Sequence, residues 1–187
     1  MSIYTPANQF QGTPADADGW KSCGAYSSAV LVDAVSLGGC VMSGHQFRLL
    51  TDEPQADPHD PGLTIPQLVR AAARFGCKLE DRTGMRRPQA KADLMQGRYL
   101  SVSVWYPLMG AYRSQKTGEF GHQMAVGRLN TTTGQVMLFD PLNRSTKGRW
   151  MPSDILFAAM EEWGRRTGLG RGQQMRYART RAIPALA

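Results

Sequence analysis

The sequence lacks long apolar segments, repeats and low-complexity tracts. None of its apolar runs approaches the roughly 18 consecutive residues that a membrane-spanning helix needs, which excludes a transmembrane protein. The first residues contain neither a basic nor an apolar segment, so no secretory signal peptide is expected and cytoplasmic synthesis is predicted. Because 42% of the residues are hydrophobic, a mainly disordered chain is excluded as well. The length predicts one compact domain over residues 1–187.

Cysteine is also scarce. The three cysteines have no C-x-x-C spacing, which argues against a disulfide framework and a structural zinc site, and no metal or cofactor is predicted. Cys40, which follows two glycines, and Cys77, at the start of a predicted strand, are interpreted as core residues. Cys23 differs from them because it lies where a polar loop meets a predicted helix.

Acidic residues are few in the second half of the chain. Residues 1–81 hold nine Asp/Glu and five Lys/Arg, a net charge of −4, whereas residues 82–187 hold six and seventeen, a net charge of +11. Residues 1–22 form a polar N-terminal segment and residues 164–187 a basic C-terminal one. The basic half could contact an anionic cell wall or a protein partner in an assembly, or be a solvated surface. Nucleic acid is not favoured as a partner, because no zinc-finger spacing or RNP-like strand accompanies the charge.

The residue pattern predicts an α+β domain in which helices precede an antiparallel sheet with an inserted helix. Residues 23–37 are small and apolar and predict a buried helix, and Thr64 with Gln67 forms a capping box that starts another. The remaining predicted elements are an exposed loop over residues 51–62, strands over 77–81 and 99–106, a weaker helix over 88–96, a glycine-punctuated loop over 109–121, a hairpin of strands 122–130 and 135–140, a helix over 154–163 and an arginine-rich edge strand over 173–183.

The predicted hairpin brings His122, which opens its first strand, near Asp140, which closes its second. Cys23 lies at a helix start, where the positive end of the helix dipole lowers a thiol pKa. These residues suit a nucleophile, a general base and a group that orients the base, with the Cys23 N–H contributing to an oxyanion hole. Two alternatives stay open, because a cysteine at a helix start is commonly a small buried residue and an aspartate before proline commonly forms a turn.

Three short segments resemble the Cys-Gly, Gly-His and Asp-Pro motifs of papain-like cysteine peptidases. They are residues 22–30 (SCGAYSSAV), 121–127 (GHQMAVG) and 136–141 (VMLFDP). The resemblance is strongest to the branch of double-glycine-leader (bacteriocin-processing) peptidases with its phage and bacterial relatives, and it extends over residues 9–163.

This resemblance implies a papain-like α+β fold, in which an N-terminal helix carrying Cys23 packs on an antiparallel sheet carrying His122 and Asp140. It implies Cys23 as the nucleophile, His122 as the base and Asp140 as the orienting residue.

Peptidases of this kind also have a glutamine a few residues before the cysteine, whose side chain donates to the oxyanion. The chain departs from this pattern, because Ala17 occupies the position six before Cys23. Gln9 is the preferred candidate and Gln11 the alternative. If neither reached the site the hydrolytic rate would suffer, since losing one oxyanion donor costs on the order of 10²–10³ in rate.

Two functions follow as hypotheses. The first is a cysteine peptidase-like hydrolase that cleaves a peptide or peptidoglycan amide by a Cys-His-Asp mechanism. The alternative is a structural or interaction protein of a phage particle, incorporated into the virion, that uses the same fold with or without residual activity. Residues 51–62 and 107–121 are expected to set substrate specificity.

Overall fold

The structure of the protein is a computed structural model that describes residues 5–9, 22–40, 42–49, 63–114, 119–169 and 173–181. Its elements, in chain order, are α1 (Cys23–Ser36), α2 (Gly44–Leu49), α3 (Ile65–Arg74), β1 (Glu80–Asp81), α4 (Arg87–Met95), β2 (Leu100–Trp105), a 3₁₀ helix (Tyr106–Tyr112), β3 (Gly121–Asn130), β4 (Gln135–Phe139), β5 (Arg149–Pro152), α5 (Ser153–Arg166) and β6 (Tyr177–Arg179). No helix within these ranges is both long and apolar enough to cross a lipid bilayer.

The six strands form one antiparallel sheet in the order β1-β6-β2-β3-β4-β5. β3 and β4 are the predicted hairpin, and β3 pairs with β2 on its other side. The short helix α2 and the strand β5 were not among the sequence predictions. β5 extends the hairpin by pairing with β4.

The prediction that residues 173–183 hold an edge strand is wrong. β6 lies inside the sheet, where Arg179 is in register with Glu80 of β1 and with Leu100 of β2. The Arg179 side chain does not guard an exposed edge, because it binds the carboxylates of Glu80 and Asp93.

Helix α1 is buried along nearly its whole length, as its small residues predict. The hydroxyls of Ser27 and Ser101 are 3.2 Å apart, which links the helix directly to β2. Leu37 adopts a left-handed conformation with φ of 52° at the end of the helix, and the Gly38 N–H returns to the Asp33 carbonyl. Helix α1 is therefore bound to β2 near its start, which carries Cys23, and capped at its end.

Alternation along the strands divides the core into two layers. Val102 and Met124 pack with apolar residues of α4 and α5. Tyr99 and Ala125 pack instead with α1 and α3. Since successive strand residues point to opposite faces, the sheet lies between two helical layers.

Candidate active site

Cys23 is the first residue of α1 and is half-buried. Burial alone would raise the pKa of its thiol, but the hydrogen bond to His122 and the charge of that imidazole lower the pKa below its usual value. The backbone amides of Gln123 and Gly24 lower it further. The position at a helix N-terminus acts in the same direction. The thiolate is therefore favoured at this position.

His122 and Asp140 meet as the hairpin geometry predicts. His122 is the second residue of β3 and Asp140 directly follows β4, and His122 Nε2 lies 2.8 Å from Asp140 Oδ1. Both residues are buried. The His122 side chain also hydrogen-bonds to the Cys23 thiol, and with Nε2 engaged by the carboxylate, Nδ1 is the ring nitrogen left for this bond. The three side chains thus form one hydrogen-bonded series.

Burial and the local hydrogen bonds shift the pKa values of His122 and Asp140 in opposite directions. Burial lowers the pKa of His122, but hydrogen bonds to Asp140 and Cys23 outweigh it and raise the pKa to about 9. Burial likewise raises the pKa of Asp140, but His122, Ser114 and the Leu142 amide lower it to about 2. The imidazolium and the carboxylate are therefore both favoured near neutral pH.

Asp140 is held by donors on both carboxylate oxygens. Its Oδ1 also accepts the Leu142 N–H at 2.9 Å. Its Oδ2 accepts the Tyr106 hydroxyl at 3.1 Å and the Ser114 hydroxyl at 2.6 Å. The Arg149 guanidinium lies 3.8 Å from the same oxygen. Sequence reasoning missed all of these partners. The contact with Leu142 could have been predicted, because an aspartate in a turn commonly accepts the N–H of the residue two positions later.

Gly24 permits the close approach of α1 to β3. A Cβ atom at this position would lie 3.3 Å from Gln123 Oε1 and equally close to Leu63 Cβ. The Gln123 amide is oriented in turn by donating to Ser101 Oγ at 3.0 Å. Since Gln123 also provides a backbone amide to the Cys23 thiol, this contact positions the sulfur relative to β3.

An aromatic cluster flanks the start of β3. The Trp163 ring, from α5, occupies the space that a Cβ atom of Gly121 would take. Trp163 stacks on Trp105 with a centroid distance of 6.0 Å, and the Arg166 guanidinium lies 3.9 Å above the Trp105 ring. Because Gly121 immediately precedes His122, the cluster ties α5 to the strand end that carries the imidazole.

The other two cysteines have different surroundings. Cys77 is buried, and burial raises the pKa of its thiol to about 11. Cys40 is half-buried against the core layer that contains α1. Among the described residues, Cys23 is the cysteine whose thiol contacts a histidine.

Of the two candidate oxyanion donors, Gln9 and Gln11, the structure describes Gln9. Gln9 is half-buried and follows Asn8, whose side chain donates to the backbone carbonyl of Asp140 at 3.1 Å. Gln11 lies outside the described residues. Gln9 as an oxyanion donor stays a prediction.

The chain is similar to known proteins in its structure and not in its sequence. No family model matches the chain, and no curated protein matches it in sequence. Among solved structures, the chain is similar to a candidate C39-like peptidase from Bacillus anthracis, with a TM-score of 0.58 and 12% sequence identity over 86% of this chain and 88% of that one. At this level of identity the likeness shows the fold. The chain has a papain-like α+β fold of the C39-like kind, with Cys23 at the start of its first helix and the helix packed on an antiparallel sheet.

Proposed function

We propose that the protein is a cysteine peptidase or related amide hydrolase that cleaves a peptide or peptidoglycan amide bond. The observation that carries this proposal is the hydrogen-bonded series from the Cys23 thiol through His122 to the buried Asp140 carboxylate. The fold shared with the candidate C39-like peptidase supports it.

In the proposed reaction the Cys23 thiolate attacks the carbonyl carbon of the substrate amide. His122, protonated, gives its proton to the leaving nitrogen as the C–N bond breaks, which leaves a thioester on Cys23. His122 then takes a proton from water, and the resulting hydroxide attacks the thioester. The acid product leaves as the C–S bond breaks, and the Cys23 thiolate and protonated His122 are restored. Throughout these steps Asp140 keeps the imidazole oriented and stabilises its charged form.

The developing oxyanion needs donors near the sulfur. The Cys23 N–H at the start of α1 is one such donor, and we propose the Gln9 side-chain amide as the second. The course of residues 5–9 supports this assignment. Ala7 contacts Asp33 near the far end of α1, whereas the next residue, Asn8, contacts Asp140 at the site. The chain therefore runs toward the site as it reaches Gln9.

A direct test compares the wild type with Cys23→Ala on a peptide mixture and on purified peptidoglycan, with products identified by mass spectrometry. We expect new amine and carboxyl termini with the wild type and none with Cys23→Ala, while the matched control Cys40→Ala keeps the activity. Activity should require ionised Cys23 and protonated His122. It should therefore fall as the pH rises through about 9, where the imidazolium is lost.

Thiol alkylation tests the same site without a known substrate. We expect fast labelling of Cys23 near neutral pH that His122→Ala abolishes. Equal, slow labelling of all three cysteines, together with no cleavage of either substrate, would contradict the enzyme and favour a binding protein of the same fold.

A further inference from the structure

Residues 5–9 are fastened to the domain at points far from them in sequence. The Arg128 guanidinium donates to the Thr5 hydroxyl at 2.6 Å, at an exposed position late in β3. The Ala7 N–H donates to the buried Asp33 carboxylate at 3.1 Å. These contacts hold the segment along β3 and α1, and they direct it to the loop that follows β4.

Asn8 is the residue by which the segment meets that loop. Its side-chain amide donates to three backbone carbonyls, those of Asp140 at 3.1 Å, Asn143 at 3.0 Å and Ser145 at 2.8 Å. Its own N–H donates to the Thr146 carbonyl at 2.8 Å. Asn8 is buried, with 6% of its surface exposed. The loop therefore curls around a single buried amide.

This arrangement bears on the site because the loop begins with Asp140. Within the part of the chain that the structure describes, no strand pairing fixes the loop, since β4 ends at Phe139 and β5 begins at Arg149. The Asp140 carboxylate must nevertheless face His122 Nε2 at 2.8 Å. The Asn8 amide donates to the Asp140 carbonyl and to two further carbonyls of the same loop, and these contacts set the direction in which the Asp140 side chain leaves the backbone.

We propose that Asn8 is a positioning residue for the Asp140–His122 pair, acting through the backbone of the loop that begins at Asp140. The inference rests on the proposed function, because it assigns Asn8 to the same site. Asn8 touches neither the sulfur nor the imidazole in the described contacts, so its effect passes through Asp140. It makes Asn8 part of the machinery, although this residue lies well before the Cys-Gly motif in the sequence.

The consequence is measurable at Cys23. If Asp140 turns away, the His122 imidazolium is less stabilised and the thiolate loses its partner, so the apparent pKa of the Cys23 thiol rises. A residue that only stabilised the fold would lower the unfolding temperature without moving this pKa in the folded protein.

The experiment measures the rate of Cys23 alkylation by iodoacetamide as a function of pH, with the labelled residue mapped by mass spectrometry. Asn8→Leu keeps the side chain's approximate size and removes its donors. We expect its inflection to move to higher pH by about one unit, which lowers the labelling rate about tenfold at pH values below the wild-type inflection. Thr5→Ala, the matched control in the same segment, should label like the wild type.

A second variant guards against loss of folding. Asn8→Ser retains one hydroxyl donor, and we expect an inflection between those of the wild type and Asn8→Leu. Thermal unfolding followed by near-UV circular dichroism establishes which variants are folded at the temperature of labelling. If Asn8→Leu does not fold, the position of the Asn8→Ser inflection decides.

The possible failures are distinct. A wild-type inflection in the ordinary thiol range would overturn the proposed function, and the positioning role with it. A depressed wild-type inflection that folded Asn8→Leu or Asn8→Ser leaves unchanged would overturn the positioning role alone. An equal shift in Thr5→Ala would also overturn it, because the effect would then belong to the segment in general.

Discussion

Asp140 receives hydrogen bonds on both oxygens, and the Ser114 hydroxyl provides the shorter contact to Oδ2, at 2.6 Å. Ser114 also donates its backbone N–H to the Tyr106 hydroxyl at 2.7 Å, so the two donors to that oxygen are linked. These two hydroxyls bind Oδ2, the carboxylate oxygen that does not contact His122, and the other oxygen, Oδ1, contacts the imidazole.

We predict that Ser114→Ala lowers the free energy of unfolding by about 1.5–3 kcal/mol at pH 7, since a hydrogen bond to an ionised group is lost. Urea unfolding measures this change. Ser145→Ala, which alters an exposed serine elsewhere in the loop after Asp140, is the control and should change stability by less than about 0.5 kcal/mol. Similar losses in both variants would contradict a specific bond to Asp140.

Single residues differ in how far the sequence predicts them. Cys23, His122 and Asp140 could be singled out because local patterns place each at the end of an element. Asn8 and Tyr106 could not, since their contacts to Asp140 span 132 and 34 positions. Such contacts arise from the path of the chain in three dimensions, which no local periodicity encodes.

At the scale of elements, the contact between α5 and β3 rests on Gly121. A methyl group there would overlap the Trp163 ring, and Trp163 is itself stacked on Trp105. Moving the indole to make room for that methyl group would disturb its stacking on Trp105.

We predict that Gly121→Ala destabilises the protein by about 1–3 kcal/mol, because overpacking forces β3 or Trp163 to move. A double-mutant cycle with Trp163→Leu tests the cause. Trp163→Leu should cost less in the Gly121→Ala background than in the wild type, since the smaller side chain relieves the overlap. Additive losses of unfolding free energy would place the strain elsewhere.

The elements themselves were predictable where the pattern was long and regular. α1, the hairpin and α5 lie within a few residues of their predicted ranges, and the capping box of α3 is present, with the Thr64 N–H donating to Gln67 Oε1 at 2.7 Å. The six residues of α2 are too few to show a helical period, and the three residues of β6 form a strand because of the neighbours they pair with.

For the whole molecule, the charged pair inside the site predicts how stability varies with pH. The pKa of Asp140 is about 2 in the folded protein against an ordinary 3.8, so its contribution is complete above about 3.8 and is lost as the pH falls toward 2. The pKa of His122 is raised from 6.5 to about 9, so its contribution is complete below 6.5 and is lost as the pH rises through 9.

We predict that Asp140→Asn flattens both limbs of the stability curve. On the acid side it should remove ~2 kcal/mol of pH-dependent stabilisation, because the carboxylate no longer titrates. On the alkaline side it should lower the His122 pKa, since the carboxylate that accepts the imidazole N–H is gone. Urea unfolding from pH 2 to pH 10 measures both limbs, and a curve parallel to that of the wild type would refute the coupling.

The α+β fold class was predictable because segments with a helical pattern come first in the sequence and segments with the alternating pattern of strands follow them. That residues 1–187 form one domain stays a prediction. The role of the basic second half also stays a proposal, and some of its arginines bind neighbouring carboxylates, as Arg87 binds Glu161.

The place of β6 in the sheet has a consequence for how the chain folds. β1 and β2 are not neighbours, because β6, the last strand in the sequence, lies between them. During synthesis, the sequences of Cys23, His122 and Asp140 emerge before the strand that joins β1 to the rest of the sheet. Until then β2 has an unpaired side, which is open to pairing with other chains. Completing the sheet therefore depends on a late, long-range pairing, which is a slow kind of folding step.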